Sequence, residues 1–160
     1  LNLHCILGGG TSNKEEESYY NQVEKISNES DFSDRIHFLG NVNNQEFYPI
    51  IDIYLLISIN SIESFGLVAI EAMSCNIPVI ATGKGGPLEI ISHKKTGLIA
   101  YENTIEEFSS HVSLLLSNKE IHKKITKKAR IEYQKKYTNK VWIQNWQNLF
   151  KNYIIKNEAK

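Results

Sequence analysis

Along the first 118 residues, five short apolar runs alternate with segments of helical period, and this alternation limits the fold more than any other feature. The runs are Leu3–Leu7, Ile36–Leu39, Ile53–Ile57, Pro78–Ala81 and Gly97–Ala100. Each has four or five residues and lacks polar alternation, which is how strands buried on both faces read. Between them lie Glu15–Asn28, Asn44–Ile50, Gly66–Cys75, Pro87–Ser92 and Thr104–Leu116, all of helical character. Strands alternating with helices predict an α/β fold, a parallel sheet with helices on both faces. Right-handed crossovers then nearly force the connections.

From Lys119 onward the strand signal ends. Two helices are expected, near Lys119–Lys136 and Asn139–Lys156. In the second, Trp142, Trp146, Leu149, Phe150 and Tyr153 recur at spacings of three or four and form one apolar stripe, a core or interface feature. Residues 1–118 are thus expected as the α/β body and residues 119–160 as basic helices of the same domain. The formal net charge of 0 conceals an asymmetry. Residues 1–118 hold 6 basic and 15 acidic side chains, whereas residues 119–160 hold 12 basic and 3 acidic ones. Such a tail either meets an anionic surface or forms solvated helix faces opposite an acidic body.

A length of 160 residues fits one domain, and 41% hydrophobic residues exclude a disordered chain. No apolar run is long enough to span a bilayer, and no signal peptide is visible. Cys5 and Cys75 lack metal-ligand spacing, and the five histidines are scattered. A reducing, cytoplasmic setting is the expectation. The first residue is Leu, so the chain reads as a piece of a longer protein.

The chemistry concentrates between Ser58 and Gly97. In an open α/β sheet, ligands bind beyond the carboxyl ends of the strands. There the run Ile53–Ile57 enters a polar loop, and Gly66 opens a helix. Gly66 permits close backbone approach, and the amides of Gly66, Leu67 and Val68 point outward from a helix N-terminus, as phosphate-binding amides do. Glu63 and Glu71 stand eight residues apart, one in the loop and one on the second helical turn. A carboxylate is a multidentate acceptor suited to paired sugar hydroxyls. Gly85-Gly86 forms a second close-approach loop after the next strand. The plainer alternative is a glutamate capping a helix start and a second one solvated on the helix.

The segment ESFGLVAIEAMSCNIPVIATGKGGPLEII, followed by KKTGLI, resembles the nucleotide-sugar-binding domain of family-4 retaining glycosyltransferases. That family has the GT-B architecture, two Rossmann-like domains facing across a cleft. The matching positions are Glu63, Phe65-Gly66, Glu71-Ala72-Met73, Pro78–Ala81, Gly85-Gly86, Glu89 and Thr96-Gly97-Leu98. LHCILGGG and RIHFLGNV resemble its upstream strands, and the likeness covers roughly residues 3–117. The resemblance implies that Glu71 binds the ribose hydroxyls of a donor nucleotide. Gly66, Leu67 and Val68 would hold the diphosphate, and Glu63 would contact the transferred sugar or stabilise the positive charge that develops on it. Phe65 would shape the sugar pocket, Gly85 and Gly86 would line the donor side, and Gly40 and Val42 would lie near the base. Gly8–Gly10 would form a tight turn. No metal or other cofactor is implied.

The sequence departs from that family in two respects. The family's first strand, and the Arg and Lys that clamp the diphosphate, have no counterpart before Leu3, and neither Arg35 nor Lys84 stands in the matching place. By the strand order 3-2-1-4-5-6 the missing strand is the central one. The sheet must then pair its neighbours directly, borrow a strand, or leave two edges open to self-association. The N-terminal acceptor-binding domain is absent as well. The implied function is transfer of a sugar from a nucleotide diphosphate sugar to a glycan or lipid-linked acceptor with retention, in surface polysaccharide assembly such as lipopolysaccharide or capsule, the piece alone being inactive. A nucleotide-sugar 2-epimerase and a non-catalytic nucleotide- or partner-binding module are the rival readings. A dinucleotide-binding dehydrogenase fits less well, because Gly8-Gly9-Gly10 lacks the full fingerprint. Nucleic-acid binding is not expected. The basic tail implies peripheral contact with the inner membrane face through its lysines, the tryptophans packing on the absent domain.

Overall fold

A computed structural model of the chain describes residues 2–58 and 63–158, the last four of these by their backbone alone. It divides into two compact units, Leu1–Ile50 and Ile51–Lys160.

The first unit contains β1 (Cys5–Gly8), α1 (Lys14–Asn28), β2 (Ile36–Gly40) and α2 (Asn44–Phe47), with 3-10 turns at Ser33–Arg35 and Tyr48–Ile50. α1 begins where the Asn13 side chain accepts the Glu16 amide at 2.9 Å while Glu16 Oε2 accepts the Ser12 amide at 2.6 Å. This reciprocal cap and three glutamates in the first turn satisfy the positive end of the helix. β1 and β2 pair in parallel from Cys5↔Ile36 onward. The Gly9 amide donates to the Gly40 carbonyl at 2.7 Å, and Gly40 ends β2 at φ +60°.

The second unit contains β3 (Tyr54–Leu56), α3 (Leu67–Ser74), β4 (Val79–Thr82), α4 (Pro87–Ile90), β5 (Leu98–Ala100), α5 (Ile105–Ser117), α6 (Lys119–Lys136) and α7 (Asn139–Glu158). β3, β4 and β5 form a parallel sheet in that order, with Tyr54↔Val79 and Ile80↔Leu98 in register. Ile80, Leu98, Ala100, Phe108, Leu115 and Ile125 make its core. The core therefore joins the sheet to α5 and to the first half of α6. On α3, Ala69, Ile70, Ala72 and Met73 are buried. The Arg130 guanidinium, on α6, donates to the Ser74 carbonyl and so satisfies the carboxyl end of α3.

Every residue of β4 and β5 is buried, as continuous apolar runs predict. β1, β2 and β3 depart from that expectation, with several residues half-buried or exposed. The reason is position. β1 and β2 are both edge strands of a two-stranded sheet, α1 has no buried residue with which to cover them, and β3 is an edge strand too. Each unit thus holds one parallel sheet among the described residues, β1-β2 in the first and β3-β4-β5 in the second.

Candidate functional site

β3 and β4 run parallel, so the loops leaving their carboxyl ends emerge on the same side of the sheet. Within the first loop, residues 59–62 lie outside the described residues. From Glu63 the backbone is locked to the second loop. The Gly86 amide donates to the Glu63 carbonyl at 2.8 Å. A Cβ on Gly86 would fall 2.3–2.4 Å from the O, C and Cα atoms of Phe65. Backbone against backbone at this distance leaves room only for hydrogen, which is why the second loop carries a glycine there.

The first loop then turns into α3. Gly66 caps the helix at φ +93°, a left-handed conformation that strains any side chain. Its carbonyl accepts the Ala69 amide at 3.0 Å and starts the helix. Glu63 Oε1 accepts the Gly66 amide at 3.0 Å and the Phe65 amide at 3.4 Å. The carboxylate thus makes the capping bond weighed in the sequence, and the Gly66 amide is engaged by it. Leu67 and Val68 follow as the first helical residues, and Phe65 and Leu67 are exposed beside them.

Glu71 sits on the second turn of α3 and is half-buried. Tyr54, the first residue of β3, connects it with Glu63. The Tyr54 phenol is pushed above its ordinary range, first by burial, then by the negative charges of Glu71 and Glu63. Tyr54 is a residue that sequence reasoning missed; its one signal was an aromatic at the head of a strand otherwise made of Leu and Ile.

The structure brings Glu63, Phe65, Gly66, Leu67, Val68, Glu71, Gly85 and Gly86 into this pair of interlocked loops and the helix that follows. Gly85 turns the second loop at φ +65° and Gly86 starts α4. Gly40 and Val42 lie in the first unit, after β2, where Val42 packs beside Gly8. Among the described residues, no three His, Cys, Asp or Glu side chains gather in a metal-binding group.

A second polar cluster, also unforeseen, borders the end of β5. Glu107 accepts the Tyr101 amide at 3.0 Å and the Glu102 amide at 2.8 Å. Although burial works against it, these bonds and one from Asn103 hold its carboxyl below the usual range. His93 and His111 stand beside it, ring centroids 5.7 Å apart.

Comparison with known proteins gives the family and the fold. The family described as glycosyl transferases group 1 matches residues 1–132. The chain is 31% identical over 118 residues to N-acetyl-alpha-D-glucosaminyl L-malate synthase of Bacillus anthracis, covering 73% of this chain and 30% of that protein. It is 31% identical over 121 residues to the alpha-1,3/1,6-mannosyltransferase ALG2 of Mus musculus, covering 70% of this chain and 29% of that one. The chain thus spans about a third of the length of the curated relatives it matches. Among solved structures, a glycosyltransferase from Rickettsia africae superposes with a TM-score of 0.85 at 24% identity, covering 94% of this chain and 40% of that one. HepE of Anabaena, solved in complex with UDP, gives 0.83 at 21% identity, with coverages of 93% and 41%. These likenesses carry the fold, Rossmann-like and of the GT-B kind. With the family matched over more than four-fifths of its length, the chain belongs to the glycosyl transferases group 1 family.

Proposed function

We propose that this chain is the donor-binding part of a retaining glycosyltransferase that moves a sugar from a nucleotide diphosphate sugar to a glycan or lipid-linked acceptor. The observation that carries the reading is the interlock of the Glu63–Gly66 and Gly85–Gly86 loops, which fixes the start of α3 beside two carboxylates. Structures of HepE, a protein of the same fold, hold UDP and UDP-glucose, which supports a donor of this class.

When the nucleotide diphosphate departs, negative charge grows on the phosphate and positive charge on the anomeric carbon. The first turn of α3, opened by Leu67 and Val68, presents the positive end of the helix dipole to the first. Gly66 supplies the turn that aims it. Glu63, its orientation fixed by the Phe65 and Gly66 amides, stabilises the second. Glu71 accepts the ribose hydroxyls, Phe65 walls the sugar, and Gly85 and Gly86 line the donor side. Gly40 and Val42 belong near the base in this reading. The acceptor is held by a second domain outside the 160 residues, and no metal is assigned to the step. Surface polysaccharide assembly, lipopolysaccharide or capsule, on the cytoplasmic side of a membrane is the setting we assign.

Calorimetric titration with UDP, GDP and ADP tests the reading. High-micromolar to millimolar binding of at least one nucleotide is expected, weakened about tenfold by Glu71→Ala as a charge-assisted hydrogen-bond acceptor is lost. Tight binding indifferent to that change would refute it.

A further inference from the structure

α6 carries eight basic and two acidic side chains in 18 residues. Its apolar face is fixed: Ile125 and Ala129 are buried, and Arg130 is bonded to the end of α3. The helix cannot rotate its opposite face out of solvent. On that face Lys119, Lys123 and Lys127 follow one another at single-turn spacing, with Lys124 and Lys128 in the adjoining row, and all five are exposed. Neighbours at this spacing repel one another and destabilise the isolated helix. Among the described residues, the ion pair that α6 makes, Lys136 with Glu132, lies nearer its far end and involves none of these five. Two surface depressions, of about 350 and 560 Å³, both border this face and share Lys123 and Lys127.

We propose that this lysine face is a docking surface for an anionic lipid bilayer. Charge complementarity is the first argument. Five exposed ammonium groups, none of them in an ion pair among the described residues, suit a broad negative plane, where each contributes as a juxtamembrane lysine does. Acidic side chains outnumber basic ones across residues 1–118, so the attraction is concentrated on this helix. The second argument chooses a bilayer over a nucleic acid. The lysine rows contain no aromatic side chain on which a base could stack, and one of them runs on into exposed Ile131. This inference goes beyond the transferase reading and does not depend on it.

Co-sedimentation of the full 160-residue chain with vesicles tests it. One set is phosphatidylcholine alone, the other an equimolar mixture with phosphatidylglycerol. Binding is expected to the mixed vesicles only, and a roughly tenfold rise in salt should release it. Replacing Lys123, Lys124, Lys127 and Lys128 together by Gln should weaken partitioning about a hundredfold or more, with the helical circular dichroism unchanged. The salt titration of the unaltered chain keeps the test decisive even where that variant folds poorly. Equal binding to neutral vesicles, or binding that the four substitutions leave intact, would overturn the proposal. So would retention of a DNA duplex at a salt concentration that strips the chain from anionic vesicles.

Discussion

Gly66 and Gly86 are glycines for different reasons, and the difference predicts different consequences. At Gly66 a Cβ would meet nothing closer than 3.4 Å, but the backbone stands at φ +93°. Alanine there would cost the left-handed strain, about 1–2 kcal/mol. At Gly86 the backbone is ordinary, at φ −53°, but a Cβ would lie inside the Phe65 main chain. Neither partner is a flexible side-chain tip, so one loop must move. Gly86→Ala should therefore lower unfolding free energy by about 1–3 kcal/mol, in the range of overpacked sites, and also disconnect Glu63 from the second loop. Urea denaturation reads the first effect, and loss of nucleotide affinity beyond that of Gly66→Ala reads the second. An unchanged urea midpoint for Gly86→Ala would show that the loops are not interlocked. The two glycines were legible in the sequence as close-approach positions. That one answers to torsion and the other to contact was not, because local sequence does not state which backbone arrives from elsewhere.

At the scale of the element, β5 shows how an edge strand is closed without another strand. Ile99 stands at its centre and pairs with Ala81 on one side. On the other, its amide donates to His93 Nδ1 at 2.9 Å, and its carbonyl accepts from His111 Nε2 at 3.2 Å. Two imidazoles thus occupy the edge groups that a further strand would take. His111 can donate in either charge state. His93 can accept only while Nδ1 is unprotonated. Its pKa is held below the ordinary 6.5, first by burial, then by the charges of Lys94 and His111, with Glu107 pulling the other way. The unfolded chain therefore binds a proton at a pH where the folded chain does not. The contribution of His93 is complete above about pH 6.5 and is lost as pH falls through the lower folded value. Thermal midpoints should fall between about pH 7 and pH 5, and His93→Gln should flatten that slope. Equal slopes in the two proteins would remove His93 as the cause. Among the described residues the strands and helices follow the apolar periods to within about three residues, since period and local capping set them. The histidine edge escaped notice because scattered histidines acquire a role only when β5 and α5 are brought together.

The whole molecule is governed by which strand edges have partners. The alternation of strand and helix in the sequence made the parallel order legible, and the Glu63–Glu71 motif with its glycines located the end of the sheet where the chemistry gathers. The separation into two sheets, one in each unit, carried no local signal in the sequence. Its physical consequence lies at β3. The Tyr54 amide donates to Pro78 at 3.0 Å, toward β4, so the backbone groups of Leu55 point the other way, along an edge that no described strand covers. The Leu55 side chain is itself 40% exposed. An apolar strand with open main-chain donors and acceptors is a template for pairing with another copy. The 160-residue chain should accordingly self-associate as its concentration rises, seen as increasing weight-average mass in sedimentation velocity. Lysine on an edge strand is the device by which natural sheets prevent this, since pairing would bring like charges together and bury them. Leu55→Lys should restore the monomer across the same concentration range while leaving the fold intact, because the position lies outside the buried core. If the variant associates as strongly as the parent, the contact lies elsewhere, and the exposed aromatic ridge of α7 becomes the surface to alter next.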